Sequence, residues 1–277
     1  MDAVRQHYEI YPYPRYPLLA SIRRSDTSHL KLSRLWARWN GCKLPKANRQ
    51  ILIAGCGSFA PYPFSLANPD CRITALDLSA ATIKRARLHC LLHLRLNVRF
   101  VVGNLLDSQT APGPFGLIDA YGVLHHLPDP LAGLLALKQR MTGNGLLRIM
   151  LYSHGARSGT EAARRALRRL QVQDLPTLEA LYKRLPQGSR LAERLGETPE
   201  GNTDHGLADA FLHPQVTVYR VAELKPLITA SGLELLVFSH PGALTDTATE
   251  WQRLSLQEAN GDLDTNFVLL LRKTTTA

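Results

Sequence analysis

Hydrophobic positions along the chain fall into short apolar runs alternating with segments of helical period. Ile51-Leu52-Ile53-Ala54 carries no charge and stops at Gly55-Cys56-Gly57-Ser58, the pattern of a buried parallel strand running into a glycine turn. From there the order predicts strands over 50–55, 71–77, 97–102, 117–122 and 145–152, with helices about 61–67, 79–93 and 129–140 between them. Such alternation predicts an α/β fold with a doubly wound, mostly parallel sheet and helices on both faces. Ser79 is placed to cap its helix, and Ile83, Ala86 and Cys90 recur at the spacing of a face turned to the sheet. A helix over 221–230 and strands over 233–239 and 267–272 bring the sheet to seven strands, with a long, partly polar connection before the last.

Two segments depart from this rhythm. Residues 1–48 form an N-terminal arm ahead of a domain over 49–277, with a helix expected around Leu30 to Trp39. Within the arm, Tyr8-Glu9-Ile10-Tyr11-Pro12-Tyr13-Pro14-Arg15-Tyr16-Pro17 combines tyrosines with prolines, which fix φ and predict an extended or turning course. Residues 153–215 are mostly helical in pattern but interrupted at Pro176, Pro186 and Gly188, as an insertion forming a lid would be.

Composition narrows the class. A chain of 277 residues, 45% hydrophobic and 20% charged, is long enough for one large core, which excludes a disordered or fibrous protein. No apolar segment reaches the roughly 18 residues of a membrane span, and Met1-Asp2-Ala3-Val4-Arg5 lacks the apolar centre of a signal peptide, so a cytoplasmic location is expected. Cys42, Cys56, Cys71 and Cys90 show no C-x-x-C spacing, and no metal site is expected. The net charge of +10 raises the prospect of a polyanionic partner. Arg164, Arg165, Arg168 and Arg169 concentrate that charge at helical spacing. They read either as a solvated face or as contacts to the phosphates of RNA, a nucleotide or another acidic substrate.

The chemistry lies at the predicted strand ends. Gly55 and Gly57 allow close backbone approach to a ligand, and Asp77, about twenty residues on at the end of the next strand, is placed to accept hydrogen bonds from both hydroxyls of a ribose. Gly55-Cys56-Gly57, Asp77-Leu78, Gly103-Asn104-Leu105-Leu106-Asp107 and Ile118-Asp119-Ala120-Tyr121-Gly122-Val123-Leu124-His125-His126-Leu127 together resemble the motifs of class I S-adenosylmethionine-dependent methyltransferases, which have a Rossmann-like fold. Ala54 stands where that family usually has an acid, and Phe59 where a third glycine is often found.

The resemblance implies S-adenosyl-L-methionine as cofactor and methyl transfer by in-line displacement to an acceptor that the sequence does not identify: a small molecule, a nucleotide or RNA, or a protein side chain. It implies that Gly55, Cys56 and Gly57 bind the cofactor, with Asp77 on the ribose and Leu78 packed on adenine. Asn104 would offer its side-chain carbonyl to the adenine amino group, and Leu105 and Tyr121 would complete the wall. Segments like the arm look like covers over the cofactor in a subset of the family. That suggests Arg15 on the methionine carboxylate and Tyr8, Tyr11 or Tyr13 around the sulfonium, against the alternative of a proline-rich tether packed on the sheet. His125 and His126 are either packing and capping residues or, for one of them, an acceptor contact or base; Tyr13 is the third candidate for a catalytic role. His213 and Tyr219 are candidates for the acceptor pocket. A different class also remains open at this point: a non-catalytic cofactor-binding or interaction protein with a degenerate first motif.

Overall fold

The computed structural model describes residues 2–197 and 204–274. Its centre is a seven-stranded sheet in the order β3-β2-β1-β4-β5-β7-β6, with β1 Gln50–Ala54, β2 Arg72–Asp77, β3 Val98–Val102, β4 Phe115–Tyr121, β5 Met141–Leu151, β6 Leu233–Phe238 and β7 Phe267–Lys273. β7 runs antiparallel to both of its neighbours, β5 and β6, and every other pairing is parallel. Alternate residues of β1 serve opposite faces. Leu52 and Ala54 join one core with α5 (Pro130–Gln139), α10 (Val221–Ala230) and α11 (Thr247–Asn260), while Ile51 and Ile53 join a second with α2 (Leu32–Asn40), α3 (Pro61–Ala67) and α4 (Ala80–Leu92). A strand buried on both faces has no polar positions to spare, which is why its sequence is a continuous apolar run.

The expected helix α4 forms as read. Ser79 Oγ accepts from Thr82 N–H at 3.1 Å, and Ile83, Ala86 and Cys90 are buried. β4 and β5 begin earlier than expected, at Phe115 and Met141, because the polar stretch Thr142-Gly143-Asn144 lies within β5 ahead of its apolar part. The polar connection expected between the last two strands contains α11. Asp246 caps it through Thr249 N–H at 2.7 Å, and Gly261 ends it at φ +79°; these are ordinary start and stop signals that its polar surface obscured.

The arm also differs from expectation. Asp2–Ile10 is a helix, α1, so Tyr8 and Glu9 are helical rather than extended. No proline interrupts residues 2–10, and Tyr11, ahead of Pro12, is where a helix is driven to end. A single 3-10 segment, Arg24–Leu30, then leads to α2.

Between β5 and α10 lie α6 (His154–Arg169), α7 (Leu175–Arg184), α8 (Arg190–Glu197) and a short helix α9 (Asp204–Leu207) that continues as a π-helical turn over Ala208–Leu212. Ala163, Leu167, Val172, Leu178, Leu195 and Phe211 give this segment an apolar cluster of its own. The arginines of α6 divide. Arg165, Arg168 and Arg169 are exposed, but Arg164 is buried, donating to the carbonyls of His213 at 2.6 Å and Ala210 at 3.3 Å beside Glu161. That corrects the reading of Arg164 as part of an exposed phosphate-binding face: its spacing is helical, but its direction is inward. Replacing Arg164 with Ala is expected to destabilise the protein by about 2–4 kcal/mol, since it strips a buried charge from two carbonyls and a carboxylate. Ala at Arg165, Arg168 or Arg169 should stay within about 0.5 kcal/mol. Urea unfolding of the four variants reads the difference.

Candidate functional site

The site is built where the parallel strands end. Gly55 and Gly57 follow β1 with φ of +65° and +57°, a region that side chains with a Cβ avoid. Space as well as torsion requires glycine there. A Cβ on Gly55 would lie 2.1 Å from Val123 Cγ2, and one on Gly57 would lie 2.9 Å from the Tyr13 carbonyl oxygen. Asp77, at the tip of β2, ties the turn down: Oδ2 accepts from Gly57 N–H at 2.9 Å and Oδ1 from Ser79 N–H at 3.0 Å. Burial raises the Asp77 carboxyl to about 6, against the backbone N–H groups that hold it down.

The arm is fastened over this turn. Ser58 N–H donates to Tyr13 O at 3.1 Å, and Ser58 Oγ to Pro14 O. Glu9 accepts from Ala80 N–H at 2.6 Å and Ala81 N–H at 3.1 Å, and Ser79 Oγ donates to Tyr8 O. With Asp77 on Ser79 and Ser79 on Thr82, every leading N–H of α4 from 79 to 82 therefore has an acceptor, one pair of them from the arm. Phe59, in the place of the third glycine, packs against Tyr16 of the arm with ring centres 4.6 Å apart. The side chain that departs from the family motif thus supplies the arm with an aromatic seat.

Beneath the arm is a cavity of about 580 Å³, whose walls include Gly55, Cys56, Gly57, Asp77, Leu78, Asn104, Leu105, Tyr121, His126, Tyr8 and Tyr13. Thus eleven residues expected at the site, far apart in sequence, meet around one space within the size range of small-molecule pockets. Cys56 is buried, and burial pushes its thiol well above the ordinary range, so it packs as a small apolar group. Asn104 is in place, but its Oδ1 already accepts from Leu106 N–H at 2.9 Å, so the carbonyl expected to face an amino group is partly committed to its own loop.

Five expected residues are not in the wall: Arg15, Tyr11, His125, His213 and Tyr219. Arg15 is exposed and turned toward His205 of α9, where its Nη1 meets Nε2. It therefore does not face the cavity, and Tyr11 likewise packs on His7 and His205. His125 is fully buried under Tyr152, with ring centres 3.7 Å apart, and burial holds its imidazolium well below the usual histidine range. The 3-10 turn Leu124–His126 separates the neighbours: His125 goes into the core, and His126 alone reaches the cavity. His126 Nδ1 donates to Gln215 O at 2.8 Å, which fixes the tautomer and leaves Nε2 as the acceptor nitrogen. Burial lowers its pKa to about 3, so it is neutral at physiological pH. His213 stacks on its ring at 3.8 Å, and Tyr219 packs in the sheet core; neither lines the cavity.

The wall also holds residues that no sequence pattern singled out, among them Asp209, Tyr152, His29 and Arg148. Asp209, from the π-helical turn, lines the cavity and accepts from Tyr8 Oη at 2.9 Å; burial raises the Tyr8 phenol well above its ordinary range, so it remains a proton donor. Tyr152 forms another wall, and His29 and Arg148 close the far end beside Asp119. Asp209 and Tyr8 are 201 positions apart, and no local spacing announces such a pair.

The chain is similar to known proteins in sequence and in fold. Residues 52–147 match the family model of a methyltransferase domain. The chain is 31% identical over 250 residues to an uncharacterized protein of a Synechococcus strain, covering 86% of this chain and 60% of that one. It is 26% identical over 129 residues to the ubiquinone biosynthesis O-methyltransferase of Thiobacillus denitrificans, covering 46% of this chain and 55% of the relative. The structure of PKMT2 from Rickettsia typhi matches with a TM-score of 0.65 at 16% identity, over 95% of this chain and 55% of that one, and PKMT2 is also known in complex with AdoHcy. The fold is that of the Rossmann-like methyltransferases. This chain spans only 55–60% of the length of these three proteins.

Proposed function

We propose that this chain, carrying a methyltransferase domain on a Rossmann-like sheet, is an S-adenosylmethionine-dependent methyltransferase whose cofactor lies in the cavity under the arm. The observation that carries the reading is the joint placement of the Gly55–Gly57 turn and the Asp77 carboxylate on one wall of that cavity. The donor set fits the group. A carboxylate suits two ribose hydroxyls, Leu78 and Leu105 suit the faces of a purine, and a Cβ at Gly57 would intrude on the arm that covers it.

When bound, the cofactor supplies an electrophilic methyl on a sulfonium. The chain's own task is to align the acceptor with that methyl, exclude water and take up a proton where the acceptor carries one. Tyr8, Tyr13 and the arm cover the space, and the helices over 154–197 and 204–212 are read as the lid that completes it. His126 has an unprotonated Nε2, but its low pKa makes it a weak base, better suited to accepting a hydrogen bond than to holding a proton. Asp209, which takes the Tyr8 hydrogen bond, places a carboxylate in the same wall. A hydroxyl or an amine is the acceptor class that can donate a hydrogen bond to it and to His126 Nε2.

Calorimetry with S-adenosylmethionine and S-adenosylhomocysteine tests the reading. Saturable binding of both is expected, and no binding at millimolar cofactor would overturn it. The pH dependence carries further information. The folded Asp77 pKa, about 6, lies above the ordinary carboxyl value of 3.8, so the folded state favours the protonated acid and loses stability as pH rises through that window. Ribose hydroxyls require the ionised form. Affinity is therefore expected to be flat above about pH 7 and to fall roughly tenfold per unit below pH 6. A flat profile from pH 5 to 8 would remove Asp77 from the ribose contact.

A further inference from the structure

Arg148 is the one lysine or arginine among the described residues that line the cavity, the role that the sequence had suggested for Arg15. It sits on β5 directly opposite Asp119 of β4. Its Nε donates to Asp119 Oδ1 at 2.5 Å, where the carboxylate is 2% and the arginine side chain 16% exposed. Its guanidinium lies 5.3 Å from the Tyr121 ring centre and 5.6 Å from that of Phe64, two further wall residues. Neither terminal nitrogen has a hydrogen-bond partner among the described residues.

This is a side chain fixed at one edge and flanked by aromatic rings, with its terminal fork left open. A mobile arginine gives up rotamer entropy when it binds an anion, and a guanidinium already held gives up less. Its two terminal NH2 groups match the two oxygens of a carboxylate. The Asp119 charge makes the resting pair neutral overall, so the pair can be held in a largely buried wall before any anion arrives.

We propose that Arg148, oriented by Asp119, is the carboxylate receptor of this cavity, holding either the methionine-end carboxylate of the cofactor or a carboxylate on the acceptor. The inference rests on the cofactor reading above only for the first of these sources. His29 and Arg148 also line a second cavity, of about 280 Å³, that extends toward Trp39 and Leu244, so the same fork is within reach of a molecule lodged on either side.

The test compares S-adenosylhomocysteine with 5′-methylthioadenosine, which keeps the nucleoside but lacks the amino-acid end, by calorimetry on the full chain. If the methionine end is the ligand, Arg148→Gln weakens S-adenosylhomocysteine about tenfold to hundredfold and leaves 5′-methylthioadenosine within about twofold. Arg148→Lys, which keeps the charge but not the fork, falls between. If the acceptor supplies the carboxylate, S-adenosylhomocysteine affinity is unchanged, while sodium benzoate binds the wild type, with or without the nucleoside, and not the Arg148→Gln protein. Because Arg148→Gln strands a buried Asp119, the Asp119→Asn/Arg148→Gln double variant is measured alongside, with its thermal transition as the check on folding. Unchanged S-adenosylhomocysteine affinity in a folded double variant, with benzoate binding either absent from the wild type or unchanged by the variant, overturns the proposal. Failure of the wild type to bind either nucleoside overturns the cofactor reading instead and leaves the benzoate comparison to decide Arg148.

Discussion

Asp77→Ala is expected to weaken S-adenosylhomocysteine binding by about 1.5–3 kcal/mol, roughly 10- to 150-fold, through loss of charge-assisted hydrogen bonds to the ribose. The same change reaches further into the protein, because Asp77 holds both Gly57 N–H and Ser79 N–H. Without it, two backbone donors beside a buried turn lose their acceptor, at a cost of about 1–3 kcal/mol each before water enters. Calorimetry should therefore show the lost affinity, and urea unfolding a lower midpoint without a changed slope. Asp77→Asn separates the two effects, since its side chain retains one acceptor oxygen for the backbone but loses the charge. Wild-type affinity in a folded Asp77→Ala protein would mean that the ribose lies elsewhere.

Gly55→Val carries the other large effect, through sterics. The backbone there is left-handed, which costs a β-branched residue about 1–3 kcal/mol. The added Cβ alone would lie 2.1 Å from Val123 Cγ2, in a segment that leads straight into the turn presenting His126. Overpacking of this kind adds about 1–3 kcal/mol. A total of about 2–6 kcal/mol is a large share of the stability of an ordinary domain. The expected outcome is loss of soluble, cofactor-binding protein. A Gly55→Val variant with wild-type melting temperature and affinity would show that the turn is more plastic than its packing implies.

Gly55, Gly57 and Asp77 were legible from local spacing, because they sit at the ends of strands that the apolar runs place. Leu78, Asn104 and Leu105, in the loops after β2 and β3, became legible only through the resemblance to a family of known motifs. The twofold outcome at His125 and His126 was not legible, because adjacent residues on a 3-10 turn differ only in direction, and direction is set by Tyr152 and Gln215 from distant segments. Arg15 and Arg148 illustrate the same limit. Proline and tyrosine neighbours made Arg15 conspicuous, yet His205 draws it outward, whereas Arg148 sits inconspicuously in an apolar strand and gains its meaning from Asp119 across the sheet. The spacing of Arg164 showed a helix without showing which face would be buried. For α11 the capping signals were present, and only its polar surface concealed it.

Phe59 and Ala54 lend the departures from the motif a structural sense. Phe59 receives Tyr16 of the arm, and Ala54 is a buried strand residue at the base of the turn. The arm contributes side chains to the cavity wall, backbone acceptors to Ser58 and a carboxylate to the start of α4.

A crystal structure of the full chain with S-adenosylhomocysteine decides whether the cofactor lies under the arm. The expected result is the nucleoside in that cavity, with both ribose hydroxyls within about 3 Å of the Asp77 carboxylate, the hydrogen-bond range. Ligand bound outside that cavity, or inside it with the ribose turned away from Asp77, would show that the turn and Asp77 do not form the cofactor site.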